Sequence, residues 1–260
     1  MIRYCKIKHC IIGFDRPKIC VSLVGRSAEE IIAQADQIRQ SQRSSAIDMV
    51  ELRGDYLDIL PDYEVLDRLL AKVAEILPEK VLLFTIRSEA EGGEKLAFTT
   101  PTIYEINRHV IEKATADMVD IELFSGAEQA EEMIGIAKEK GVKIIMSNHD
   151  FQTTPDASTI VNRLRSMQDL GADVAKIAVM PENKMHVVNL LAATAMMQEA
   201  YAEVPVVTMS MGKMGAISRI SGQVFGSAIT FASFAEASAP GQIPVDKMDE
   251  ALTLIEKYCN

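Results

Sequence analysis

The run Asp173-Val174-Ala175-Lys176-Ile177-Ala178-Val179-Met180-Pro181 sets one amine in the middle of an apolar, β-branched stretch. Lysine is seldom fully buried without a partner or a purpose. Desolvation disfavours its charged form, and a neutral lysine is a nucleophile that forms Schiff bases with carbonyls. The preceding apolar run, Ile144-Ile145-Met146-Ser147-Asn148-His149-Asp150, delivers a histidine at its end. Imine chemistry needs such an amine with a proton carrier beside it, which makes Lys176 and His149 the first candidate pair. A lysine in this setting can equally be a buried ion-pair residue or snorkel to solvent. The rest of the chain has to decide between these.

Whether the two side chains meet depends on the elements that carry them. Apolar runs predict strands over residues 18–24, 47–53, 80–87, 118–123, 142–148, around Lys176, 206–209 and 223–229. Between and after them, helical patterns are expected over about 27–41, 63–77, 102–116, 127–140, 156–170, 183–202, 216–221 and 246–258. Strand then helix, eight times with short joins, predicts a closed (β/α)8 TIM barrel of the α/β class, as a single catalytic domain over residues 1–260. Residues 3–12 alternate weakly and read as a short N-terminal hairpin or arm. An open doubly wound sheet would usually carry a glycine-rich first turn, and Val24-Gly25-Arg26-Ser27 is neither a GxGxxG nor a Walker sequence.

The chain has 260 residues and a net charge of −10. That size suits one such barrel. With a pI near 5, the balance argues against nucleic acid and anionic membranes as partners. It leaves room for an anionic small molecule if the arginines gather in one pocket. No apolar run reaches a membrane span and the first residues lack a signal-peptide core, so cytoplasmic residence is expected. Cys5, Cys10, Cys20 and Cys259 have no CxxC spacing. They suggest neither a metal site nor a disulfide framework, and no cofactor is expected.

Barrel sites lie at the carboxyl ends of the strands. There the sequence offers Glu51 with Arg53, then Arg87, Asp120 with Glu122, His149, Lys176, Met209 with Met211, and Arg219. Charges at i and i+2 point to the same face of a strand. Any single pair could be an ion-pair belt at the barrel mouth, and the methionines could simply fill core. Three arginines, a histidine and a lysine together describe a pocket for a carboxylated, hydroxylated carbonyl compound. The loop Glu89-Ala90-Glu91-Gly92-Gly93-Glu94 could be a solvated flexible loop, or supply a carboxylate that orients His149. Ala235 to Gln242 forms a small-residue loop in which Ser238 and Gln242 could reach substrate oxygens.

These motifs, in this order, resemble type I 3-dehydroquinate dehydratases. The resemblance rests on Glu51-Leu52-Arg53, Phe84-Thr85-Ile86-Arg87, Glu91-Gly92-Gly93-Glu94, Met146 to Phe151, Ala175-Lys176-Ile177-Ala178, Met209-Ser210-Met211-Gly212, Ser218-Arg219 and Ser238 to Gln242. It covers residues from about 17 to 242. It implies a usually dimeric barrel that dehydrates 3-dehydroquinate in the shikimate route to aromatic amino acids. It implies Lys176 as the Schiff-base lysine, His149 as the proton carrier and Glu91 as the partner of His149. Arg219, Ser238 and Gln242 would hold the substrate carboxylate and hydroxyls. Glu51, Arg53 and Arg87 would line the pocket, with Ser22, Met209, Met211 and Phe231 shaping it. Two other readings stay open. A class I aldolase-like lyase would bind phosphate, and the turn Met211-Gly212-Lys213-Met214-Gly215 could contribute; a non-catalytic barrel could bind a shikimate-like metabolite.

Overall fold

The computed structural model describes residues 4–96, 99–235 and 239–259. Its first two strands, β1 (Cys5–Ile7) and β2 (Cys10–Ile12), form an antiparallel hairpin. The remaining eight are β3 (Lys18–Leu23), β4 (Met49–Arg53), β5 (Val81–Thr85), β6 (Met118–Glu122), β7 (Lys143–Asp150), β8 (Val174–Val179), β9 (Val206–Ser210) and β10 (Ile229–Ala232). They pair in parallel in the order β10-β3-β4-β5-β6-β7-β8-β9. The seam between β9 and β10 is drawn together at Ser227, which bridges Val206 and accepts a hydrogen bond from the Thr208 N–H at 3.0 Å. The expected TIM barrel is therefore present, with the expected hairpin at its start.

Helices α1 (Ala28–Gln40), α2 (Tyr63–Ile76), α3 (Thr100–Lys113), α4 (Ala127–Lys140), α5 (Ala157–Asp169), α6 (Lys184–Met196) and α9 (Val245–Cys259) flank the strands. Short helices α7 (Ala216–Ile220) and α8 (Gly222–Phe225) lie between β9 and β10. Polar N-caps start several of them, with Ser27, Asp62, Asp156 and Asn183 each accepting a backbone N–H from the first turn. Among the described residues no helix is long and apolar enough to cross a membrane.

Alternation along the strands builds two cores. Val50, Leu52, Leu82, Phe84, Val119, Ile121, Ile144, Met146, Ala175 and Ile177 pack with the helices. Their neighbours Met49, Val81, Leu83, Met118, Ile145, Val174, Val207 and Ile229 fill the barrel interior, where the hairpin residues Cys5, Ile7, Cys10 and Ile12 join them. Further along the same strands the inward positions turn polar, at Glu51, Thr85, Asp120, Ser147 and Lys176. One end of the barrel is thus closed by apolar packing, and the other is free for chemistry.

The sequence placed the eighth barrel strand at residues 223–229, and this is corrected. Gln223 to Phe225 belong to α8, which ends at Gly226 with φ of 103°, a left-handed conformation that favours glycine. Val224 in the expected strand is exposed, whereas Ile229 to Ala232 are all buried and pair with β3. A Val-Phe pair reads as strand or helix alike, and the turn at Gly226 decides it.

Candidate active site

At the carboxyl end of the barrel, Glu51, Arg53, Arg87, Glu91, His149, Lys176, Met209, Met211, Arg219, Phe231 and Gln242 line one cavity, joined by Gly92, Phe151, Ala178 and Ala239. It holds about 520 Å³ of empty space, its open mouth included. Of the described residues the sequence nominated, Ser22, Asp120 and Glu122 are not on this wall. Ser22 stands one place back, donating from its hydroxyl to Glu51 Oε2 at 2.7 Å. Ser238 lies outside the described residues.

Lys176 is 3 % exposed, and it is not a lone amine among apolar neighbours. Its Nζ lies 3.1 Å from Asp120 Oδ2 and 3.9 Å from Glu51 Oε1, and 4.6 Å from the centre of the Phe231 ring. The strand register sets Lys176 level with Ser147 and Glu122, and Asp120 lies one same-face position back along β6 from Glu122. Asp120 also receives Arg87 Nη2 at 2.8 Å and the Ser147 hydroxyl at 2.6 Å. Burial opposes its ionisation, but the Arg87 and Lys176 cations prevail and hold its carboxyl down at about 2. The sequence marked Asp120 as sharing a strand face with Glu122 and as a possible ion-pair partner, not as the counter-ion of the lysine.

His149 points inward from β7. Its Nδ1 is 2.9 Å from Glu91 Oε2, which also accepts the His149 backbone N–H at 2.9 Å. Glu91 Oε1 accepts from Asn148 Nδ2 at 3.0 Å. Burial, and then the Arg87, Lys176 and Arg53 cations, push the imidazole pKa well below its ordinary value. The ring is therefore neutral at pH 7, with Nδ1–H donating to Glu91 and Nε2 left as the basic nitrogen. Glu91 itself is pushed up to about 7, by burial and the neighbouring Glu122 carboxylate, against the opposing pull of Arg87 and Asn148. It comes from a short 3-10 turn, Glu89–Glu91, at the start of the acidic loop. Two glycines press that turn into place: a methyl on Gly92 would collide with the Phe151 ring, and one on Gly93 with the Arg87 carbonyl.

The three arginines divide into two kinds. Arg53 is clasped by both oxygens of Asp55, at 2.8 and 2.7 Å. Arg87 is engaged by Asp120, Glu122 and Ser147. Arg219, from α7, is 2 % exposed and among the described residues has only uncharged acceptors, Pro240 O at 3.0 Å, Phe231 O at 3.4 Å and Met209 Sδ at 3.8 Å. Its Nε has no hydrogen-bond partner among the described residues. Burial alone lowers its pKa to about 10. Burying an unpaired charge costs several kcal/mol. A cation held this way in a cavity wall is a receptor for an anion, and the guanidinium fork matches a carboxylate.

The cavity therefore combines a buried amine between carboxylates, a neutral imidazole oriented by Glu91, and an unpaired arginine. Comparison with known proteins points the same way. A family model described as type I 3-dehydroquinase matches residues 19–259. The 3-dehydroquinate dehydratase of Salmonella typhimurium is 43 % identical over 251 residues, covering 96 % of this chain and 98 % of the relative. The type I 3-dehydroquinate dehydratase of Clostridium difficile, solved with covalently modified comenic acid, superposes with a TM-score of 0.93 at 40 % identity and 99 % coverage of both chains. The 3-dehydroquinate dehydratase of Geobacillus kaustophilus gives 0.94 at 33 % identity, over 99 % of this chain and 98 % of that one. Shared over almost its whole length in both sequence and backbone, the chain belongs to the type I 3-dehydroquinase family of hydro-lyases.

Proposed function

We propose that this chain is a Schiff-base-forming dehydratase that converts 3-dehydroquinate to 3-dehydroshikimate and water in the shikimate route to aromatic amino acids. The observation that carries the reading is the buried Lys176 amine sharing one cavity with neutral His149 and the unpaired Arg219. Membership of the family supports it.

Arg219 receives the substrate carboxylate, with Gln242 and Ser238 taking hydroxyl groups. Lys176 Nζ adds to the ketone carbon, water is lost, and a protonated imine forms. Asp120 and Glu51 flank that nitrogen and stabilise its positive charge. The iminium is a stronger electron sink than the ketone, so the proton on the adjacent carbon becomes acidic. His149 Nε2 takes it, and Nδ1–H leans on Glu91 as the ring becomes cationic. The enamine then expels the β-hydroxyl, to which His149 returns the proton, and water leaves. A second water adds to the imine and releases the product, regenerating the amine. Arg53 and Arg87 hold the surrounding carboxylates in register, Ser22 steadies Glu51, and Met209, Met211 and Phe231 give the cavity its apolar wall. In this reading residues 1–260 act as one catalytic domain, without a cofactor.

The proposal extends to a homodimer working in the cytoplasm. Exposed Met185 and Val188 on α6 and Val224 on α8 offer apolar surface for pairing, and the free cysteines suit a reducing compartment. The chemistry is tested by incubating the protein with 3-dehydroquinate, reducing with borohydride and mapping the adduct by peptide mass. A stable adduct on Lys176 is expected. Turnover without any adduct, or an adduct on another lysine, overturns the assignment.

A further inference from the structure

Asn148 stands between the acid–base pair and a residue outside the substrate cavity. Its side chain leaves β7 on the helix side, and its Oδ1 accepts from Arg163 Nη1 of α5 at 2.8 Å. Its Nδ2 donates to Glu91 Oε1 at 3.0 Å. An amide can face its neighbours in two ways, and here the choice is forced. Guanidinium offers donors only, so the carbonyl oxygen must turn towards Arg163 and the NH2 towards Glu91. Arg163 is itself braced, with its guanidinium 5.7 Å from the Phe124 ring centre and 3.9 Å from Asp150 Oδ2.

We propose that Arg163 is a positioning residue for the acid–base pair: by fixing the Asn148 amide it obliges Glu91 to accept, and so keeps the His149 Nδ1–H on Glu91 and Nε2 towards the substrate. The inference rests on the dehydratase reading above. Without Arg163 the amide can rotate and bring Oδ1 against Glu91 Oε1. Two acceptors then face each other, and a proton on Glu91 relieves the conflict. Protonated Glu91 no longer stabilises an imidazolium. The other charged groups around the pair are Arg87, 3.6 Å from Glu91, and Glu122 and Asp120 from β6, with Lys176 and Arg53 acting on His149. The Asn148 amide itself is held between Arg163 and Glu91. Glu91 is already poised near neutrality, so a small push decides its state at physiological pH.

Wild-type turnover of 3-dehydroquinate is measured first, and its absence would refute the dehydratase reading rather than this one. In Arg163→Leu, kcat at pH 7 is expected to fall about tenfold, the low end for losing an outer partner of an oriented histidine. KM stays unchanged, and the acidic limb of the kcat profile moves to higher pH, because protonated Glu91 is favoured. In an Asn148→Ala background, where the relay is already cut, adding Arg163→Leu has no further effect. A thermal melt of each variant verifies folding. An unmoved kcat and acidic limb overturns the proposal, and so does the same shift in the Asn148→Ala background, which would make Arg163 act without the amide.

Discussion

Arg53, Arg87 and Arg219 line one cavity, yet among the described residues only Arg219 has no acidic partner. That difference assigns their work. Arg53 and Arg87 have spent their donors on Asp55, Asp120 and Glu122, so a substrate carboxylate finds its free fork at Arg219. Hydrogen bonds to a charged group contribute about 1.5–3 kcal/mol each, and two of them amount to a hundredfold or more in affinity. Arg219→Met should therefore raise KM about 100-fold, with a smaller effect on kcat, since the imine forms elsewhere. The same change should raise unfolding stability by roughly 1 kcal/mol or more, because a thioether replaces an uncompensated buried cation. Steady-state kinetics and urea unfolding read both; an unchanged KM would end the carboxylate assignment. At this scale the sequence showed the chemistry-bearing types but not their pairings. Lys176 stood out as an amine within an apolar run and His149 as an imidazole at the end of one, whereas Arg219 was noticed only in company with the other cations. The roles of Asp120, Asp55, Asn148 and Arg163 depend on which neighbour each meets across the barrel, which spacing along one chain does not contain.

Between residue and barrel stand the strand ends and the loops that follow them. The strand–helix beat was legible in the sequence, but the split into inner and outer core was not, because strands buried on both faces read as continuous apolar runs. The eighth strand was not, because an apolar segment flanked by glycines fits either element until its turn is known. The loop that carries Glu91 shows how an element fixes a catalytic distance. Gly93 donates its N–H to the Ser88 carbonyl at 2.8 Å while its α-carbon packs on the Arg87 carbonyl. No side chain fits there. Gly93→Ala must lift the turn away from β5, carrying Glu91 off His149. A displacement on the order of 1 Å at a reacting group costs about 100-fold in rate, so kcat should fall by that factor. The barrel core does not include this loop, and the melting temperature should change little. Near-normal kcat in Gly93→Ala would mean that the Glu91–His149 contact is not what the turn is for.

Over the whole molecule, stability and chemistry occupy opposite ends of the barrel. At the amino end, Asp48, Asp117 and Asp173 repeat one device. Each accepts a backbone N–H from the neighbouring strand, of Ile19, Leu82 and Ile144, at 2.8, 2.8 and 2.9 Å. The hairpin closes that end, with Ile12 fully buried in the inner core and Lys8 paired to Asp117 at 2.8 Å. Conservation of fold and of site can therefore be separated by experiment. Ile12→Ala removes a packed side chain that nothing else in the hairpin can replace, and a change of this kind costs about 2–5 kcal/mol. Urea or thermal unfolding should show that loss. The cavity lies at the other end of the strands, and no residue of β1 or β2 lines it. Both kcat and KM should stay at wild-type values under conditions where the variant is folded. If Ile12→Ala instead lowered kcat in proportion to its loss of stability, the two ends would be coupled through the barrel interior. The hairpin would then be part of the catalytic machinery, not a plug beneath it.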